Sequence, residues 1–186
     1  MNSDGLVVVV CGPACSGKSV FAPSFASKLS LKLVNHDDVL TEIKPKSDRN
    51  PTDRLKACVV MHRSARELNS LGQGVLLEGT YSRRGYRSDL LSALPEAFIY
   101  IIEMRVPVEV ALERFGKRRD HPGIDLTAES VRELTLTYPY WNSAISINGT
   151  LPYVEQERIA LAAVNGRTAQ NLSEWEKLGL STAVTD

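Results

Sequence analysis

The sequence predicts an α/β fold of three layers, a five-stranded parallel sheet with helices on both faces. Three observations carry that expectation. Short, continuous apolar runs such as Leu6 to Cys11 read as strands buried on both sides. Between them lie segments with apolar residues at helical spacing, so strand and helix alternate. A glycine-bracketed loop, "GPACSGKS" at 12–19, joins the first such strand to the first such helix.

The elements follow in order. After the first strand, Val20 to Leu29 reads as a helix, with Phe21, Phe25 and Leu29 four apart. "LKLVN" (31–35) is a second strand, and "HDD" leads into a brief helical segment. "KPKSDRNPTDR" (44–54) is polar and holds two prolines, the composition of a loop. From Arg54 to Leu71, residues such as Ala57, Met61, Ala65 and Leu68 trace one helical face, which Gly72 and Gly74 end. "VLLEGT" (75–80) is a third buried strand. A helix through Leu90, Leu91 and Leu94 leads to a fourth, "AFIYIIEM" (97–104). Pro107 opens a helix where its missing N–H does no harm, and Val108, Ala111, Leu112 and Phe115 form its apolar stripe. "DHPGID" (120–125) interrupts, and a helix runs from about Ala128 to Leu136. "SAISIN" (143–148) is the fifth strand, and Glu155 to Val164 the last core helix. Residues 1–164 are expected as one domain, with a short mobile lid at about 117–127. A polar tail, 165–186, follows, with a loosely docked helix around "SEWEKL".

Composition narrows the function. In 186 residues, 43% hydrophobic and 24% charged is the balance of a soluble globular domain. Lys and Arg total 22, as do Asp and Glu, so the net charge is zero and a dedicated nucleic-acid binder is not favoured. Three cysteines, Cys11, Cys15 and Cys58, have neither metal-site spacing nor the pattern of a disulfide framework. "MNSDG" carries no basic leader and Leu6 to Cys11 is far too short to span a bilayer, so a cytoplasmic location and no membrane partner are expected. Asn148-Gly149-Thr150 matches a glycosylation sequon but lacks a secretory signal to make it meaningful.

Gly12, Gly17, Lys18 and Ser19 fit G-x-x-x-x-G-K-[ST], the phosphate-binding P-loop, in its confirming context of strand, loop and helix. Backbone N–H groups of such a loop form a concave nest, and the following helix presents its positive end to an anion. Gly12, Pro13, Ala14, Cys15, Ser16, Gly17, Lys18, Ser19 and Val20 are therefore candidates for holding ATP, and Thr150 is assigned to the nucleotide as well. Ser19 is also a candidate Mg²⁺ ligand. A small residue tolerated in the loop accounts for Cys15 better than a redox role.

Three further segments bear on the reaction. Asp37 and Asp38 follow the second strand, at the sheet edge that faces a ligand crevice, where a carboxylate can accept the proton of an attacking hydroxyl or cap the next helix. Glu78 ends a buried strand, a position suited to supporting Mg²⁺. Arg114 and Arg118, four apart in "LERFGKRRDHPG", share one helix flank beside a Pro/Gly breaker and fit a lid that closes on nucleotide.

On these residues the chain resembles small P-loop kinases of the nucleoside-monophosphate-kinase-like group. "ERFGKRR" is similar to the start of the adenylate kinase lid, which implies Arg114 stacked on adenine and Arg118 on the transferring phosphate. "GPACSGKSVF…VNHDD" with "LLEGTYSRRGYR" resembles more closely the kinase domain of phage-type polynucleotide kinases and their AAA-like relatives, antibiotic phosphotransferases among them. That resemblance implies Asp37 as the general base. Val39-Leu40-Thr41 stands where polynucleotide kinases carry a substrate arginine, and Glu78 where they carry an aspartate. The resulting expectation is an ATP- and Mg²⁺-dependent kinase acting on a small-molecule hydroxyl, with Asp37, Lys18 and Arg118 catalytic. Asp38, Arg83, Arg84 and Arg87 are candidates for the acceptor side. The alternatives are a 5′-hydroxyl polynucleotide kinase and a nucleotide-dependent switch without an acceptor.

Overall fold

The computed structural model describes residues 5–94, 98–117, 126–141, 144–166 and 170–171. The expected lid falls largely outside them, as do Arg118 and "SEWEKL". Five parallel strands make the sheet: β1 (Val7–Cys11), β2 (Lys32–Asn35), β3 (Val75–Glu78), β4 (Phe98–Arg105) and β5 (Ile145–Asn148), in the order β2-β3-β1-β4-β5. A sixth, two-residue strand, β6 (Gln170–Asn171), pairs antiparallel with the start of β4. It lies in the tail ahead of "SEWEKL", and a two-residue strand gives no periodicity to read.

Seven helices are described: α1 (Lys18–Lys28), α2 (His36–Ile43), α3 (Pro51–Ser70), α4 (Arg84–Ala93), α5 (Val108–Lys117), α6 (Ala128–Leu136) and α7 (Tyr153–Gly166). β1 shows why the valine run is continuous. Val7, Val9 and Cys11 face one apolar layer with Met61, Ala65, Leu90 and Trp141. Val8 and Val10 face the opposite layer with Phe21, Phe25, Leu76 and Ala160. Both faces are covered, so every residue of the strand is buried.

Two boundaries differ from expectation for local reasons. α3 starts at Pro51, not Arg54, because the Asn50 side chain accepts the Asp53 N–H at 2.9 Å and Pro51 tolerates the first helical position. The preceding loop is thus shortened to residues 44–50. α4 begins at Arg84, inside "YSRRGYR" (81–87).

Strand order reverses around β1, which places its carboxyl end and the loop after it at the crevice of an open α/β sheet. Register carries two more chain ends to that edge: Val10 and Asn35 both align with Glu78.

Candidate active site

A cleft of about 970 Å³ opens at this edge. Ala14, Cys15, Gly17, Lys18, Ser19 and Val20 line one part of it, and Asn35, Asp37, Glu78 and Arg83 another.

The loop is held in a shape that few sequences allow. Gly12 has φ +141°, and a Cβ there would lie 2.5 Å from the Met104 carbonyl oxygen. Gly17, at φ +105°, caps α1 without a side-chain hydrogen bond, and no acid sits in the first turn. No side chain of the helix start therefore competes with an anion for its first N–H groups. Lys18 is buried and donates to the Pro13 carbonyl at 2.7 Å. Burial pushes its ammonium pKa down, and the nearby Glu78 charge opposes that shift.

Glu78 sits between two partners. Ser19 Oγ donates to Oε1 at 3.4 Å, and Asn35 Nδ2 donates to Oε2. Burial raises the Glu78 pKa, while Lys18 pulls it down. A hydroxyl and a carboxylate so placed fit a hard cation that takes its remaining ligands from phosphate oxygens and water, as Mg²⁺ does. Among the described residues no cluster of three or more His, Cys, Asp or Glu side chains offers an all-protein metal cage.

Asn35 also caps α2, accepting the N–H groups of Asp37 at 2.7 Å and Asp38 at 3.1 Å. One side chain thereby links the Glu78 carboxylate to the helix that carries Asp37. Asp37 faces the cleft, whereas Asp38 is exposed and does not line it. Arg49 Nη1 donates to Asp37 Oδ1 at 2.7 Å, and the His36 ring lies 3.7 Å from the same oxygen. Burial alone would raise the Asp37 pKa, but His36 and Arg49 together hold it well below the ordinary carboxylate range.

The arginines separate. Arg83 lines the cleft and Arg84 does not. Arg87 is structural instead: it is buried, donates from Nε to the Tyr81 carbonyl at 2.8 Å and to Pro139, and stacks 4.4 Å over Trp141. The start of α4 turns it inward, which corrects the expectation that it faces the acceptor. Arg114 lines the cleft but spreads its guanidinium edge over the carbonyls of Cys15 and Ser16, each at 3.3 Å, and Gly149 at 2.6 Å. Its edge ties the loop to the β5–α7 connection. Thr150 turns away, its hydroxyl bonded to Asn148 Oδ1 at 2.8 Å. Gly149 beside it lines the cleft, and a Cβ there would lie 2.5 Å from the Ser16 carbonyl oxygen. Pro13, Gly12 and Ser16 shape the loop from behind rather than lining the cleft.

Sequence reasoning missed Asn35, Arg49 and Gly149. Arg49 is twelve residues from Asp37, a distance that no helical or strand period connects. Its neighbour Asn50, three residues before Asp53, was a readable cap signal that fixes where the loop ends.

The fold matches that of P-loop kinases, and the chain belongs to the AAA domain family, whose model matches residues 7–139. No curated protein sequence matches the chain significantly. Among solved structures, a sugar kinase from Janibacter sp. is similar with a TM-score of 0.68 at 18% identity, over 97% of this chain and 98% of that one. A gluconokinase from Sinorhizobium meliloti is similar with a TM-score of 0.63 at 18% identity, over 95% and 97%. The Pnkp1/Rnl/Hen1 RNA repair complex is similar with a TM-score of 0.61 at 24% identity, over 73% of this chain and 44% of that one. At such identities the likeness concerns the fold.

Proposed function

We propose that the protein is an ATP- and Mg²⁺-dependent phosphotransferase that moves the γ-phosphoryl group to a hydroxyl of a small molecule, with residues 1–164 as its kinase unit. The observation that carries this reading is one cleft lined by both the Lys18–Ser19 phosphate loop and the Asp37 carboxylate. The helix start and loop N–H groups hold the phosphates, and Lys18 leaves Pro13 to meet them. Ser19 and Glu78 would hold Mg²⁺, which would neutralise charge on the phosphates. Asp37 receives and orients the acceptor hydroxyl. Its depressed pKa makes it a weak base, which suits a loose phosphoryl transfer in which the proton leaves late. Arg118 is assigned to stabilise the transferring group. Kinases named for a sugar and for gluconate among the structural neighbours are in keeping with a small hydroxylated acceptor.

A second reading, a 5′-hydroxyl polynucleotide kinase, draws on the likeness to the RNA repair complex. The zero net charge disfavours it. Incubation with γ-labelled ATP and a panel of hydroxyl compounds, including a 5′-OH oligonucleotide, separates the two. Label in a small alcohol supports the first reading. Label only in the oligonucleotide, in a reaction that weakens steeply with salt, supports the second.

A further inference from the structure

Three guanidinium groups, those of Arg49, Arg54 and Arg83, line the acceptor half of the cleft together with the carboxylates of Asp37 and Glu78. The three belong together: Arg54 Nε donates to the Arg49 carbonyl at 2.6 Å, and the charges of Arg54 and Arg83 both act on the Tyr86 phenol. Tyr86 also lines the cleft, and its hydroxyl is buried without a hydrogen-bond partner. A buried donor with no partner, set beside guanidinium groups, suits an anionic ligand. Cys58, Met61 and Tyr81 supply an apolar wall next to it.

Arg49 adds a second element. Its side chain is only 10% exposed, its backbone is left-handed at φ +58°, and its guanidinium is set on Asp37. Among the described residues it donates to no other side chain. Ser47 fixes the loop by accepting the Arg49 N–H at 2.8 Å and donating to Asp53 at 2.8 Å. The guanidinium that quiets the proposed base therefore stands at the mouth of an anion site.

We propose that the acceptor is itself an anion, a small hydroxy-carboxylate or hydroxy-phosphate ester. Its anionic group is bound by Arg54, Arg83 and the Tyr86 hydroxyl, and it draws Arg49 away from Asp37. The carboxylate becomes available to the acceptor hydroxyl only when such an anion is in place. Water, which offers no anion, is a poor acceptor as a result, and ATP is spared from hydrolysis. This rests on the phosphotransferase reading of the same cleft.

The test keeps the two apart. Calorimetry with Mg²⁺ and a non-hydrolysable ATP analogue asks first whether the nucleotide binds; if it does not, the phosphotransferase reading fails by itself. On the nucleotide-saturated protein, matched probes are then titrated: glycerate and glycerol 3-phosphate against glycerol, and gluconate against glucose. At least one anion is expected to bind about tenfold or more tighter than its neutral partner, and Arg83→Met, at an exposed position, should remove that preference. Tyr86→Phe should weaken the anion by about three- to tenfold and leave the neutral probe unchanged. Equal binding of both members of every pair, or a preference that survives Arg83→Met, overturns the site. The role of Arg49 has its own signature: Arg49→Met should raise acceptor-free ATP hydrolysis several-fold and lower transfer to the anion. A fall in both rates, or a rise in both, overturns the exchange between Asp37 and the acceptor.

Discussion

Asp37 depends on its neighbours for both position and charge. Asn35 sets the helix turn that presents it, and Arg49 and His36 keep it ionised. Because its folded pKa lies below the unfolded value, its contribution to stability is present above the ordinary carboxylate range and is lost as pH falls through the folded pKa. Asp37→Asn is therefore expected to destabilise the protein at neutral pH and to converge with wild type in strong acid, as read by urea midpoints across pH. A gap that stays constant with pH would contradict the ion pair. Glu78→Gln should raise the Mg²⁺ concentration for half-maximal transfer by about tenfold or more, measured by metal titration. At this scale the sequence was informative only where chemistry is local. The P-loop spacing named Lys18 and Ser19, and "HDD" named Asp37. Arg49 and Gly149 reach the site through loop geometry that spacing does not encode. Arg87 misled because a guanidinium reads as a solvent-facing or anion-binding group, while burial over Trp141 with two carbonyl acceptors satisfies it equally well.

At the level of elements, the connections between them set the site. Strand and helix order was legible because buried parallel strands read as unbroken apolar runs and helices as periodic ones. Boundaries were less so. The loop before α3 was read too long because Pro51 suggested a break, when a proline in first position starts a helix. That cap anchors the 44–50 loop that holds Arg49, so Asn50→Ala should cost about 1 kcal/mol of stability. Thermal or chemical unfolding measures it. The β5–α7 connection gives a second prediction. Gly149 passes so near Ser16 that a methyl group would push on the phosphate loop, although it lies far from it in sequence. Gly149→Ala is expected to weaken ATP binding by about tenfold, read by titration of the nucleotide analogue. Unchanged affinity would show that the loop yields without loss.

For the whole molecule, two apolar layers on either side of one sheet fix the cleft at the carboxyl edge. None of the described helices is long and apolar enough to cross a membrane. Ligand binding at that edge should stabilise the fold: at a hundredfold excess over Kd, ATP with Mg²⁺ adds about 2.7 kcal/mol, or roughly 5–10 °C in Tm. The central claim is transfer to an alcohol through Asp37, and one measurement tests it most directly. Wild type and Asp37→Asn are incubated with γ-labelled ATP and the hydroxyl panel, and the products are resolved by mass spectrometry. The expected result is a phosphate ester of one acceptor from wild type and none from Asp37→Asn, with equal affinity of both proteins for the ATP analogue. Release of inorganic phosphate alone from wild type, whatever the compound, or undiminished transfer by Asp37→Asn, would contradict it.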